Sequence, residues 1–439
     1  MEVDSAYLVP KYKTFRGEIK LRGDKSISHR VLIFSSMCEN QETKIYNIGF
    51  SDDINATQRI LMQLGVEILN ENGFLKACGK GIYFDEPSDI IYAYESGTTA
   101  RIFCSILAPQ KFSSVLDGKE SLRRRPMKRV VEPLKKLGAK IWGKDDASKL
   151  PLVFDGVSKF KGGVSFDLSV ASAQVKTALL ISNFWSDSPV KVREPFISRD
   201  HTERILPSFN VDIRSEAGYI YAVGKPKSPG VIMVPGDISS ASFIIAASVL
   251  SHNSDVLIKD VSLNPTRLGF VEVLKNMGAN LKIYKAGQEI GEDYGDISAS
   301  SSELKNIELK GDIIPKIIDE IPILSVCAIF GEGVFRVRDA KELRVKETDR
   351  INAICSNLRS LGIDVQEYED GFSFEGIGNS AYHKFSGDYI LKTFGDHRIA
   401  MSFFIFGSLI NGNLYLDDIS CVSKSYPDFL LDIKKIGIC

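Results

Sequence analysis

"INAICSNLRSLGIDV", residues 351–365, decides how the chain is built. Ile351, Ile354, Leu358 and Leu361 recur at helical spacing and share one face. Gly362 follows, a residue able to take the left-handed conformation that closes a helix. Ile363 and Val365 then flank Asp364 with the alternation of a strand. The stretch predicts an amphipathic helix, a glycine stop and a half-buried strand.

The same pattern recurs along the chain. Its other copies are "RILMQLGVEI", "EPLKKLGAKI", "RILPSFNVDI", "EVLKNMGANL" and "LDIKKIGIC". Their stops fall at Gly65, Gly138, Asn210, Gly278 and Gly437. Asn210 is the next residue type able to visit the left-handed region, and Pro207 weakens the third helix. Upstream of each lies a more apolar helix, beginning near "SHRVLIFSSM", "GTTARIFCSIL", "SAQVKTALLIS", "SSASFIIAASVL", "DEIPILSVCAIF" and "DHRIAMSFFIFG". The spacing is longer than a solenoid repeat of roughly 20–50 residues. Each unit therefore reads as a compact βα subdomain that buries its apolar helix against its neighbours. "GDKSIS" at Gly23 is echoed by "GDISSA" at Gly236, which points to two halves of three units each. If both Gly-Asp turns mark crossings, the domains are 23–236 and 1–22 plus 237–439. Two crossover hinge strands would join them in a geometry suited to a closing cleft.

At 439 residues the chain exceeds one ordinary core. With 44% apolar and 25% charged residues it has the composition of a soluble globular protein. A formal charge of −1 gives no global basic character and so no pointer to nucleic acid. Seven cysteines without a C-x-x-C pair read as reduced core thiols of a cytoplasmic protein. The leading "MEVDSAYLVPKYK" lacks a signal-peptide apolar region. "IPILSVCAIFG" and "IAMSFFIFGSLI" fall short of the roughly 20 residues of a membrane span and read as buried helices.

The starts of the apolar helices are polar. They offer Lys25, Ser26, Ser28 and Arg30; Gly97, Thr98, Thr99 and Arg101; Ser172 and Gln174; Ser239 and Ser240; Asp319 and Glu320; and Asp396, His397 and Arg398. Ser, Thr and Asp there serve as ordinary N-caps. Cations do not, because they oppose the helix dipole. A bound anion reverses that sign, so Arg30, Arg101 and Arg398 point to anionic ligands. In "RDAKELRVKETDRI", Lys346 and Arg350 repel at i,i+4, which again asks for an anion between them, whereas Glu347 attracts Arg350 at i,i+3. "DGKESLRRRPMKRVVEPL" reads for the most part as a solvated basic loop. No nucleophile has a neighbouring His and acid. Asp200–His201 and Asp396–His397 follow no metal-ligand spacing, and Asp24 separates Gly23 from Lys25, which excludes a Walker A loop. No metal is expected from these residues.

"GDKSISHR", "ESGTTAR", "LRRRPM", "VASAQVKTALL", "SRDHTER", "PGDISSASF", "NPTRLG", "IDEIP", "LRVKETDRI", "GDHRIAM" and "KSYPDF" follow one another from residue 23 to 429. Together they resemble the 5-enolpyruvylshikimate-3-phosphate synthase family. The resemblance implies an α/β fold: a two-domain inside-out α/β barrel of six βαβαββ repeats, three per domain around pseudo-threefold axes, with an interdomain cleft. It implies transfer of the enolpyruvyl group of phosphoenolpyruvate to the 5-hydroxyl of shikimate 3-phosphate, a step of the shikimate pathway towards chorismate and the aromatic amino acids. It also implies a monomer, chemistry that requires no metal or organic cofactor, and inhibition by glyphosate at the phosphoenolpyruvate site. Carried onto this sequence, shikimate 3-phosphate would meet Lys25, Ser26, Arg30, Ser172, Ala173, Gln174, Ser198, Asp319 and Lys346. Phosphoenolpyruvate would meet Lys25, Gly97, Arg125, Gln174, Arg350, Arg398 and Lys424. Proton transfers would fall to Asp319 near the 5-hydroxyl and Glu347 near the methylene carbon, with Lys25 assisting.

Three positions depart from the family pattern. Arg22 stands where Pro is usual, Glu95 where Asn is common, and His201 where some members have Tyr. Glu95 would weaken anion binding unless Arg101 or another cation neutralises it. The rival readings are the sister transferase acting on a UDP-amino sugar, UDP-N-acetylglucosamine, and a catalytically inactive anion-binding relative. The sister enzyme typically carries a reactive Cys in the loop equivalent to "LDGKESLRRRPM", where this chain has none; Cys104 is the nearest. An inactive relative would not need Asp319 and Glu347, and both are present.

Overall fold

The computed structural model describes residues 6–439, so the first five of the leading residues read above lie outside it. Twelve repeat helices alternate in character. They are α1 Lys25–Ser36, α2 Asp52–Gln63, α3 Gly97–Leu107, α4 Lys128–Lys136, α5 Ala173–Ser182, α6 His201–Ile205, α7 Ile238–Leu250, α8 Gly269–Asn276, α9 Ile321–Ile329, α10 Arg350–Ser360, α11 His397–Leu409 and α12 Phe429–Ile436. The odd-numbered six are the apolar helices read from sequence, and the even-numbered six are the amphipathic ones.

The apolar helices are buried nearly all round. All thirteen residues of α7 and all nine of α9 are buried. In one part of the chain α7, α9 and α11 pack on one another; in another, α3 packs on α5. This burial is why their sequences read as unbroken apolar runs rather than stripes. Most serines inside them satisfy their own hydroxyls, Ser35 excepted, as when Ser105 donates to the Ala178 carbonyl across the α3–α5 contact at 2.6 Å.

Six small sheets accompany the helices. Ile91–Tyr92 precedes α3 and pairs parallel with Ser113–Asp117 beyond it. Val164–Asp167 does the same with Val190–Arg193 around α5, and Asp388–Leu391 with Asn413–Leu416 around α11. These are βαβ crossovers, and an apolar helix buried on its sheet is their ordinary connection.

The chain forms two compact units. The first comprises Arg22–Pro235 with Gln288–Glu292; the second comprises the segment up to Leu21, Gly236–Gly287 and Asp293–Cys439. Each has its own apolar core. Thr14–Lys20 lies in a sheet of the second unit, parallel to Asp255–Ser262. Val231–Met233 lies in a sheet of the first, parallel to Glu42–Tyr46. Gly23 sits where a Cβ would come within 2.0 Å of the Asn47 carbonyl oxygen, so no other residue fits there.

The helix stops differ in one copy from the sequence reading. Gly65, Gly138, Gly278 and Gly362 all have positive φ, and Asn210 takes the left-handed conformation at φ 59°. In the third copy Pro207 converts the last turn to a 3-10 turn, Leu206–Phe209. Gly437 corrects the pattern. Its φ is −81°, and it enters a short strand paired with Phe15. What requires glycine there is contact, because a Cβ would lie 2.5 Å from Tyr12 Cδ1 and 2.9 Å from the Ile433 carbonyl.

These two reasons for glycine separate by mutation. Gly362→Ala meets nothing within 4 Å, so its cost is the left-handed backbone alone, about 1–2 kcal/mol. Gly437→Ala collides with a backbone carbonyl. Urea unfolding should show the larger loss for Gly437→Ala; an equal or smaller loss contradicts the assignment.

Candidate active site

In the first unit the starts of α1, α3 and α5 carry the candidate groups. Each helix is capped by the residue before it. Asp24 accepts from Ile27 N–H at 3.0 Å, Ser96 from Thr99 N–H at 3.3 Å and Ser172 from Val175 N–H at 3.5 Å. The caps fix which side chains of the first turn project, and Ser172 itself serves as one of them. Lys25 Nζ lies 3.2 Å from Asp53 at the start of α2. Gln174 donates to Thr98 Oγ1 at 2.9 Å and accepts from Arg101 Nη1 at 2.6 Å, which joins the starts of α3 and α5. Gly97 faces two cations, for a Cβ there would lie 2.9 Å from Arg125 Nη1 and 3.0 Å from Arg101 Nη1. Arg123 pairs with Asp117 and Arg124 with Glu120, whereas Arg125 is the buried member of the basic loop.

Arg30 is buried, and its partners are neutral. Nε donates to Thr202 Oγ1 at 2.7 Å, Nη1 to the Ser26 carbonyl at 2.9 Å and Nη2 to Thr177 Oγ1 at 2.9 Å. Among the described residues no carboxylate pairs with it. Burial pulls its pKa down to about 10, with Glu203 and Asp24 opposing at longer range. His29 beside it is a core residue bonded to Thr57 Oγ1 at 2.8 Å; burial, then Lys25 and Arg30, hold it neutral.

Ser198 is tied to Ser172 by a residue the sequence reading passed over. Glu194 accepts from Ser172 N–H at 3.0 Å, from Ser198 N–H at 3.2 Å and from the Ser198 hydroxyl at 2.6 Å. It also pairs with buried Lys176 at 2.8 Å, which pairs in turn with Glu203 at 2.7 Å. The available signal was Lys176, a cation inside the apolar run of α5.

In the second unit the starts of α7, α9, α10 and α11 converge. Asp237, Asp349 and Asp396 cap α7, α10 and α11. Arg350 is only 1% exposed and meets three carboxylates: Asp396 at 2.8 Å, Glu347 at 2.6 Å and Asp319 at 3.1 Å. Burial works against its charge, but Asp396, Glu347 and Asp319 outweigh it and hold its pKa above the ordinary value. Lys346 reaches the same Asp319 oxygen at 3.4 Å. The anion expected between Lys346 and Arg350 is therefore supplied by the protein itself, in Asp319. Arg398 donates to Ser239 Oγ at 2.7 Å and to the Asp319 carbonyl at 3.0 Å. Lys424 donates to the Gly395 carbonyl at 2.8 Å, at the same helix start.

The structure thus brings Asp319, Lys346, Glu347, Arg350, Arg398 and Lys424 together in the second unit. It gathers Gly97, Arg125, Ala173 and Gln174 about the starts of α3 and α5 in the first, with Lys25, Ser26 and Arg30 on α1. Ser172 and Ser198 share Glu194. The departures have local explanations. Glu95 accepts from the Ser121 hydroxyl at 2.8 Å and lies 3.8 Å from Lys119, which supplies a neutralising cation. His201 is fully buried and bonded to Glu292 at 2.7 Å. Burial pushes the Cys104 thiol up to about 12, so it is no nucleophile. No helix of the described residues is long and apolar enough to cross a membrane.

Known proteins share this fold. The enolpyruvyl transferase NikO from Streptomyces tendae superposes with a TM-score of 0.75 over 98% of this chain and 97% of its own, at 13% identity, which defines the fold class. EPSP synthase from Acinetobacter baumannii superposes at 0.85 with 36% identity, covering 98% of each chain. A 3-phosphoshikimate 1-carboxyvinyltransferase from Geobacter metallireducens is 42% identical over 98% of this chain and 99% of its own. One from Petrotoga mobilis is 43% identical over 97% and 98%. The family model for EPSP synthase (3-phosphoshikimate 1-carboxyvinyltransferase) matches residues 9–433, and the chain belongs to that family.

The two buried arginines should respond differently to removal. Arg350→Ala strands three carboxylates and is expected to cost about 3–5 kcal/mol. Arg30→Ala removes a cation that no carboxylate pairs with and should cost clearly less. Guanidinium unfolding of both variants checks this; equal losses contradict it.

Proposed function

We propose that the chain transfers the enolpyruvyl group of phosphoenolpyruvate to the 5-hydroxyl of shikimate 3-phosphate and releases phosphate. One observation carries the reading: two carboxylates, Asp319 and Glu347, sit on one buried guanidinium, Arg350, amid further cations. Addition–elimination needs such a pair. In the first step a proton reaches C3 of phosphoenolpyruvate while the 5-hydroxyl oxygen bonds to C2 and gives up its proton. In the second, C3 returns its proton and the C2–phosphate bond breaks, releasing phosphate. One group must serve the hydroxyl and another the methylene carbon.

Asp319 is the base for the 5-hydroxyl, oriented by Arg350 and Lys346. Glu347 serves C3. Three carboxylates take four of the five N–H groups of Arg350, which leaves one on Nη1 for an incoming anion. Asp396 is fully buried and caps α11, whereas Glu347 is 24% exposed at its side chain. Glu347 is therefore the carboxyl of the three most open to substrate, which suits it to pass a proton to C3. Lys25, Gly97, Arg125, Gln174, Arg398 and Lys424 complete the phosphoenolpyruvate site, and Lys25 assists the proton transfers. Ser26, Arg30, Ser172, Ala173, Gln174, Ser198 and Lys346, with Lys25 and Asp319, take shikimate 3-phosphate. The uncompensated charge of Arg30 supports a dianionic phosphate there, where a charge-assisted bond is strong.

The test is product identification with both substrates by phosphorus and proton NMR. The expected result is an enolpyruvyl ether of shikimate 3-phosphate with one phosphate released. Release of phosphate with UDP-N-acetylglucosamine alone would overturn the reading. Asp319→Asn and Glu347→Gln should each lower kcat by about 10²–10⁴-fold, the usual contribution of a positioned acid or base; full activity in either excludes its role. Gly97→Ala must push Arg125 and Arg101 outward, so KM for phosphoenolpyruvate should rise and glyphosate inhibition weaken. An unchanged KM argues against that placement.

A further inference from the structure

Glu320 is buried at 2% exposure at the start of α9, beside the candidate base, and no step above uses it. It accepts a hydrogen bond from the Ser239 hydroxyl. Ser239 Oγ in turn accepts from Arg398 Nη1 at 2.7 Å. The same Glu320 oxygen lies 3.5 Å from Arg398 Nη1 and 3.6 Å from Arg267 Nη2. One carboxylate therefore stands between two buried guanidiniums, and a relay of Arg398, Ser239 and Glu320 joins the starts of α11, α7 and α9. The second carboxylate oxygen of Glu320 has no hydrogen-bond partner. A half-satisfied buried carboxylate costs stability, so its contribution lies elsewhere.

That contribution is the orientation of Arg398. Nη1 is held on one edge by Ser239 and by the Asp319 carbonyl, while Nε and Nη2 on the other edge make no hydrogen bond to any described residue. A guanidinium locked on one edge and open on the other is preorganised for bidentate contact with a carboxylate or phosphate. Without Glu320, Arg267 and Arg398 would face each other with no charge between them, and Arg398 would turn away.

We propose that Glu320, through the Ser239 hydroxyl, is a positioning residue that fixes Arg398 to receive an anionic group of phosphoenolpyruvate. The proposal rests on the functional reading above. It is tested by steady-state kinetics and melting temperatures of wild type, Ser239→Ala, Glu320→Gln and the double variant. Each single variant should raise KM for phosphoenolpyruvate about tenfold, the size of a lost hydrogen bond to a charged group. KM for shikimate 3-phosphate should stay within about twofold and kcat should change little, as for lost uniform binding. The double variant should be no worse than the poorer single, because both act through one relay. Should Glu320→Gln fail to fold, Ser239→Ala decides alone. A folded Ser239→Ala protein with unchanged KM for phosphoenolpyruvate, or with both KM values raised together, overturns the proposal while leaving the functional reading intact. A wild-type chain without turnover overturns both.

Discussion

The second unit's site depends on the charge of Arg350. A guanidinium taken out of water is costly unless carboxylates of good geometry surround it. Here Asp396, Glu347 and Asp319 do so, and they come from the starts of α11, α10 and α9. The electrostatic requirement is therefore also a positional one, because it brings three helix starts to a common point. Asp396 serves twice, capping α11 through Arg398 N–H at 2.8 Å while it pairs with Arg350. The candidate acid and base are thereby ligands of a structural cation, which fixes their orientation before any substrate arrives.

The first unit solves the opposite problem. Arg30 is equally deep, but hydroxyls and a carbonyl surround it rather than carboxylates. Its folded pKa lies below its ordinary value, so the folded state holds that proton less tightly than the unfolded chain does. The resulting cost is present at every pH below about 10 and is relieved only as pH rises through that value. A bound anion relieves the same cost at neutral pH. Arg350 thus has its counter-charges from the protein, and Arg30 is left to take one from outside.

Much of the fold was legible in sequence because it is locally encoded. The apolar helices are buried all round and so read as continuous runs, and Asn210 was readable as a stop because few residues tolerate positive φ. Gly437 was not readable, since its reason is contact with Tyr12, more than four hundred residues away. The same division holds at the site. Cations at helix starts stood out against the dipole alone. That Asp319 would be the anion between Lys346 and Arg350, and that Glu194, Lys176 and Glu320 would organise the neighbours, depends on tertiary pairing. Sequence spacing carries no trace of such pairs, apart from Lys176 standing inside an apolar helix.

The central claim is that Arg30 awaits an external anion while Arg350 does not. Scanning calorimetry with each substrate alone tests it most directly, because a ligand that binds only the folded chain raises the melting temperature according to its affinity. Shikimate 3-phosphate alone should raise the melting temperature markedly at neutral pH, and phosphoenolpyruvate alone at the same concentration should raise it little. An equal or larger rise with phosphoenolpyruvate alone would contradict the account.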